Sequence, residues 1–308
     1  MPACIENNQN LHAEEDTSNR SEQTALLIQG GALRGLHTTG FLKVLHDEGL
    51  CFDCIMGISA GALNGISYLS DMLDRAILLN ESYIMDPSFM GPRAVRESDV
   101  FSMINFDMMF DGVPGSVPRF DWTGYLQSST HFLCGAVSAR TGEIQYFEKG
   151  SGVNMRDACT ASASLPFITR GREVDGELYY DGGIRDCIPL HRAQKDGYGK
   201  IILIMTREKG FRSEAPAPTM LRLTHMRFFT QGNFYGALIE QHHRYNTLLR
   251  EVEALEDAGD PRYLVCRPSE NTQLEFTDRS PEAVKHLVKL GMKDAEADLP
   301  RIREFLKS

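Results

Sequence analysis

An α/β fold built on a mainly parallel sheet is predicted by three features of this 308-residue chain. A continuous apolar run at 24–28 enters the glycine turn Gly30-Gly31. A helical apolar pattern at 36–48 closes at Gly49. The same strand-then-helix order repeats at 52–56 and 60–80. Continuous apolar strands alternating with amphipathic helices require a sheet covered on both faces.

The elements follow in order. The run 24–28, Thr-Ala-Leu-Leu-Ile, is short, apolar and ended by glycine, so it reads as a buried strand. Phe41, Leu42, Val44 and Leu45 fall on one helical face, and Leu63, Ile66, Leu69 and Leu73 repeat that spacing in the second helix. Further strands are expected at 131–138, 143–148, 177–180, 200–206 and 262–266. Further helices are expected at 154–163, 190–196, 221–258 and 281–306. Residues 85–125 are irregular, rich in Pro, Gly, Met and Phe, and read as an insertion. The expected organisation is a tail at 1–23, a catalytic domain at 24–210 and helical additions at 211–308 packed on the same domain.

Composition narrows the function. Asp plus Glu is 42 against 32 for Lys plus Arg, a net charge of -10. A nucleic-acid protein needs a basic footprint, so that class is disfavoured. Residues 1–23 are polar and acid-rich without the apolar core of a secretory signal, and no run approaches the roughly 18 apolar residues of a membrane span. The seven cysteines are scattered. Cys51 and Cys54 form a lone C-x-x-C without a second ligand pair, so they read as small apolar residues and not as a zinc site. Reduced thiols and a cytoplasmic location, free or peripheral at a membrane, are the expectation.

Three motifs carry chemistry. Gly57-Ile58-Ser59-Ala60-Gly61 is G-x-S-x-G at a strand-to-helix junction, the context of a nucleophile elbow. Small residues at Gly57, Ala60 and Gly61 permit a turn sharp enough to present a hydroxyl at the amino end of the next helix, where negative charge is favoured. The simpler alternative is a serine N-cap. Gly30-Gly31-Ala32-Leu33-Arg34-Gly35 also joins strand to helix. Its amides suit either an anion or the oxyanion of acyl transfer. A dinucleotide loop fits poorly, because Ala32 breaks the glycine spacing and Asp53 enters the second strand where the ribose-binding acid belongs at its end. Asp181-Gly182-Gly183 follows a strand, and either holds a base beside a close backbone approach or makes an ordinary Asx-turn.

Taken together, these motifs resemble the patatin-like phospholipase family, most nearly its bacterial YjjU-type subgroup. The flanking text agrees at Gly57-Ile-Ser-Ala-Gly-Ala-Leu-Asn64, Ala161-Ser-Ala-Ser-Leu-Pro166 and Asp181-Gly-Gly-Ile-Arg-Asp-Cys-Ile-Pro189, and the resemblance runs over residues 24–206. It implies a three-layer α/β/α sandwich and a serine acyl hydrolase without metal or organic cofactor, acting on a phospholipid or other acyl ester, in part at a membrane surface. Ser59 is the implied nucleophile and Asp181 the implied base. Gly30, Gly31, Ala32 and Ala60 are the implied oxyanion hole. Arg34, Gly35, Gly57, Gly61, Gly182 and Gly183 shape the site, Arg34 by bracing the loop through carbonyls or by meeting a substrate phosphate.

Ala32 departs from the glycine common at that position, which matters if the position needs positive φ. His225, His242 and His243 lie downstream of Asp181 and keep a Ser-His-Asp esterase open, while His37 reads as structural or substrate-side. A catalytically silent lipid-binding module is the other alternative. Met85, Met90, Phe101, Met103, Phe106, Met108, Met109 and Phe110 either complete the core or form an adaptable apolar surface. The basic aromatic stretch 221–245 is either a lipid-interface helix or a buried helix with a basic rim.

Overall fold

Strand β1 (Thr24–Ile28) shows why the sheet is central. Every residue is buried, and alternate side chains serve different layers. Leu26 and Ile28 join one apolar core, Ala25 and Leu27 another, as the two-residue period of a strand dictates. The computed structural model describes residues 17–97 and 102–308. From β1 the chain continues through α1 (Gly35–Asp47), β2 (Cys54–Ile58), α2 (Ala60–Leu69), α3 (Leu73–Tyr83), α4 (Ala94–Glu97), α5 (Phe106–Asp111) and α6 (Trp122–Gln127). Then come β3 (His131–Ser138), β4 (Ile144–Glu148), α7 (Met155–Ser162), β5 (Arg172–Val174), β6 (Glu177–Asp181), α8 (Leu190–Asp196) and β7 (Lys200–Ile204). The chain ends with α9 (Pro218–Phe228), α10 (Gly232–Ala258), β8 (Tyr263–Cys266) and α11 (Pro281–Lys307).

The sheet order is β5-β6-β3-β2-β1-β7-β8, with β4 pairing β3 off that path. Strands β3, β2, β1, β7 and β8 run parallel, β4 and β6 pair antiparallel with β3, and β5 pairs antiparallel with β6. Helices α1, α2, α7 and α11 pack on one face and α8 and α10 on the other, giving a three-layer α/β/α sandwich. Helices α1 and α11 meet at backbone distance: a Cβ at Gly40 would lie 2.0 Å from the Val288 carbonyl oxygen, and one at Gly291 1.9 Å from that of His37. Among the described residues no helix is long and apolar enough to cross a membrane.

Several boundaries differ from the sequence expectation. The helix expected at 60–80 is two helices, because Asp71 takes the left-handed conformation (φ 55°) and the Met72 N–H turns back to Ser67 C=O. The stretch 221–258 also divides, at a turn closed by Gln231 N–H on Phe228 C=O. Strand β5 was not anticipated; three residues give no readable period. Of the expected tail, Thr17–Glu22 form a 3-10 turn whose Arg20 C=O accepts from Gly199 N–H, and residues 1–16 lie outside the described residues, as does Phe101. Cys54, Cys134, Cys159, Cys187 and Cys266 are free and buried, but Cys51 is disulfide-bonded, which departs from the expectation of reduced thiols throughout.

Candidate active site

Ser59 stands between the last residue of β2 and the first of α2, at φ 57° and ψ -125°. A non-glycine residue there stores about 1–3 kcal/mol of strain. The turn closes only because its flanks lack side chains: a Cβ at Gly57 would sit 2.4 Å from the Gly61 carbonyl oxygen, and one at Gly61 2.3 Å from that of Ile28. The Ser59 N–H donates to Ser162 Oγ (2.9 Å), whose hydroxyl donates to Gly135 C=O (2.6 Å). The strained residue is thereby tied to β3 through α7.

Asp181 is the last residue of β6, opposite Ala136 of β3, and its N–H donates to Ser164 C=O. Its carboxylate meets the elbow directly. Ser59 Oγ–H donates to Asp181 Oδ2 at 2.6 Å, and Gly183 N–H donates to Oδ1 at 2.7 Å. The two glycines act differently: a Cβ at Gly182 would lie 2.2 Å from the Gly135 carbonyl oxygen, so its bareness lets the turn press on β3, whereas Gly183 supplies a donor. Asp181 is 3% exposed. Burial raises its pKa to about 6 against the lowering effect of the Ser59 hydroxyl and the Gly183 amide.

The turn from β1 to α1 lies beside the elbow, since β1 and β2 are parallel neighbours. Not all of its amides are available. Gly30 N–H donates to Cys187 C=O at 3.0 Å, which corrects its expected place in the oxyanion hole, because a donor committed to a carbonyl cannot also meet an oxyanion. The N–H groups of Gly31, Ala32 and Ala60 donate to no acceptor among the described residues. Ala32 adopts φ 49°, so this position does require the left-handed conformation that glycine takes without cost. The turn is held from outside. Gln29 Oε1 accepts from Thr206 N–H and hydroxyl (2.6 and 3.0 Å), and Gly35 C=O accepts from Thr39 Oγ (2.9 Å) and Asn64 Nδ2 (2.9 Å).

Arg34 does not brace this loop. Its guanidinium makes no hydrogen bond among the described residues, and its Nε is buried without a partner. Burial and the neighbouring Arg207 both lower its pKa.

A cavity of about 120 Å³ opens beside Ser59, lined by Leu36, Leu63, Met90, Phe106, Met109 and Phe110 among others. Met90, Phe106 and Phe110 are buried and Met108 and Met109 half-buried, whereas Met85 and Met103 are exposed, so the insertion both packs and walls the cavity. Arg75 ties α3 to the insertion by donating to Pro118 C=O at 2.6 Å, and burial lowers its pKa to about 10.

Among the described residues no histidine hydrogen-bonds Ser59 or Asp181. His225 packs against Phe229 in a tilted contact and against Tyr235 edge-on, and His242 and His243 lie against each other on α10. His37, 1% exposed, pairs through Nε2 with Asp294 Oδ2 of α11 at 2.8 Å, and burial lowers its pKa, which places it on the structural side. The supports at Ser162, Gln29, Thr206 and Asn64 were not singled out by sequence. Ser162 and Asn64 had a signal, their places in Ala161-Ser-Ala-Ser-Leu-Pro166 and Gly57-Ile-Ser-Ala-Gly-Ala-Leu-Asn64.

The patatin-like phospholipase family model matches residues 26–193, more than half of the chain. The chain belongs to the patatin-like phospholipase family. It is similar to the Escherichia coli (strain K12) "uncharacterized protein YjjU", with 29% identity over 188 residues, 59% of this chain and 51% of that protein. An NTE family protein of Mycobacterium bovis is 25% identical over 177 residues, 55% of this chain and 45% of its own length. The triacylglycerol lipase ptl3 of Schizosaccharomyces pombe is 25% identical over 199 residues, 54% and 41%. This patatin-like chain spans about half the length of the curated relatives it matches. A second model, a domain of unknown function (DUF6363), matches residues 232–307, which hold α10, β8 and α11.

Proposed function

We propose that this patatin-like chain is a serine acyl hydrolase of lipid esters, a phospholipid or lysophospholipid before other carboxylic esters, working through a Ser59–Asp181 dyad. The observation that carries the reading is the 2.6 Å hydrogen bond from Ser59 Oγ to a buried carboxylate, at a strained elbow that opens on an apolar cavity. The family membership and the lipase among its relatives support the substrate class.

In this reading Ser59 Oγ attacks the ester carbonyl carbon while its proton passes to Asp181 Oδ2. The carbonyl oxygen becomes an oxyanion held by the N–H groups of Gly31, Ala32 and Ala60, at the amino end of α2 where the helix dipole adds to them. Collapse expels the alcohol, which takes the proton from Asp181. Water then attacks the acyl-serine and gives a proton to Asp181, which passes it to Ser59 Oγ as the acid leaves and the free serine is restored. Gly183 N–H on Oδ1 leaves Oδ2 to face the serine. The cavity takes the acyl chain; apolar cavities of roughly 150 Å³ hold a benzene-sized group, so the enclosed part accommodates a short segment and a longer chain extends outward.

The test is labelling of the purified protein by a fluorophosphonate, with the modified residue located by mass spectrometry, together with hydrolysis of a short soluble ester. Labelling at Ser59, and loss of both activities in folded Ser59→Ala, is the expected result. A folded protein that takes no label and hydrolyses no ester would instead be a silent lipid-binding member of the family.

A further inference from the structure

The dyad, its amides and its cavity leave α9 without a role, and α9 faces the wrong way for a core helix. Only Thr224 and Phe228 are buried. At 3.6 residues per turn these two lie on one side, and Arg222, Leu223, Met226 and Phe229 fall opposite. Those outward apolar groups are open to solvent: Leu223 is 51%, Met226 65% and Phe229 57% exposed. A run of apolar side chains on the outer face of a helix marks an interaction site.

Charge and position indicate the partner. In a chain of net charge -10, residues 215–239 contain no Asp or Glu but do contain Arg222 and Arg227. The surface is also continuous with the mouth of the cavity. Phe228 meets the ring of exposed Phe167 at 5.5 Å, and the Arg227 guanidinium lies 5.8 Å from that ring. Phe167 sits two residues beyond cavity-lining Leu165, and the next residue, Ile168, accepts at its C=O from the N–H of exposed Met103 (3.0 Å).

Resting on the acyl-hydrolase reading, we propose that α9, with Phe167 and Met103, is the surface by which the protein docks on an anionic lipid bilayer, with Leu223, Met226 and Phe229 entering the interface and Arg222 and Arg227 meeting lipid phosphates. An interfacial helix combines these two contributions, apolar burial and attraction to anionic headgroups. A second copy of the chain fits less well, because a two-fold contact through this helix would set its arginines against the same arginines.

The test pellets the full chain with phosphatidylcholine vesicles, with and without phosphatidylglycerol, and separately follows a short soluble ester. The wild type is expected to pellet with the phosphatidylglycerol vesicles, more weakly without that lipid and more weakly in salt. The double variant Leu223→Glu/Met226→Glu should lose roughly tenfold or more in vesicle binding while keeping its rate on the soluble ester. Leu126→Glu, at a residue 67% exposed elsewhere, should change neither. A wild type that does not pellet, or a double variant that pellets like the wild type, would overturn the proposal. A dimer in light scattering that the double variant abolishes would assign the face to a second copy. Because binding is read without turnover, a chain that pellets but hydrolyses no ester contradicts the acyl-hydrolase reading alone.

Discussion

Two strand-to-helix turns stand side by side on parallel strands, yet they are held by different means. At the β2–α2 elbow the constraint is backbone against backbone: Gly57 faces the Gly61 carbonyl and Gly61 faces that of Ile28, at distances no side chain could share. At the β1–α1 turn the constraint is side-chain hydrogen bonding from far along the chain, by Gln29 with Thr206 and by Asn64 on Gly35 C=O. The elbow carries its strain on Ser59. The neighbouring turn carries it on Ala32. Sterically locked turns tolerate no added atom, whereas turns held by polar side chains adjust.

Substitutions sharpen that contrast. The largest effect is expected for Gly61→Ala, whose methyl must displace the Ile28 carbonyl. Overpacking of this kind costs about 1–3 kcal/mol or more, and the elbow should open, so thermal unfolding shifts down and Ser59 labelling stops. Gly31→Ala is the control in the other turn, because the nearest neighbours of its Cβ belong to the Thr206 side chain, at 2.9 Å and beyond, and not to backbone. If both alanine variants behaved alike, the contrast would be lost.

Ser162→Ala should come next. It leaves the buried Ser59 N–H and Gly135 C=O without their shared partner. An unmet buried group costs about 1–3 kcal/mol, so kcat/KM should fall roughly ten- to hundredfold if that energy falls on elbow geometry. Unchanged kinetics in a folded variant would show that the elbow holds itself without β3.

The pH profile is a milder perturbation of the same site. Burial raises the Asp181 pKa to about 6, and a base must be deprotonated to act. On a soluble ester, kcat/KM should therefore be flat above that pH and decline about tenfold per unit below it. A limb near the ordinary carboxylate value would mean that the carboxylate is not desolvated during turnover. Smallest of all is Ala32→Gly. Removing the methyl at φ 49° should relieve about 1–2 kcal/mol of left-handed strain, partly offset by glycine's greater freedom when unfolded, with activity kept. Lost activity would give the methyl a role against the substrate.

The same contrast explains what could be read in advance. The elbow was legible because its requirement is local: small residues within two positions of Ser59, between an apolar run and a helix. The partner Asp181 was legible through its two glycines, one pressed on β3 and one donating to the carboxylate. The amide of Gly30 was misassigned because its acceptor, Cys187 C=O, lies on a distant segment that no local pattern places there. Thr206, Gln29 and Asn64 are ordinary residues made important by tertiary position. The break at Asp71 escaped notice because an aspartate, not a glycine, takes the left-handed turn. The parallel half of the sheet followed from alternating strands and helices, whereas three-residue β5 left no pattern.

A Ser59–Asp181 dyad requires that Asp181, and no histidine, takes the serine proton. Its most direct measurement is kcat/KM on a soluble ester for Asp181→Asn beside His225→Ala, His242→Ala and His243→Ala, each verified as folded. Asn keeps the shape of the side chain but cannot accept the proton, so Asp181→Asn should lose several powers of ten, about what general-base catalysis contributes, while each histidine variant keeps most of its rate. Near-wild-type activity in Asp181→Asn, or one histidine variant as inactive as Ser59→Ala, would contradict the dyad.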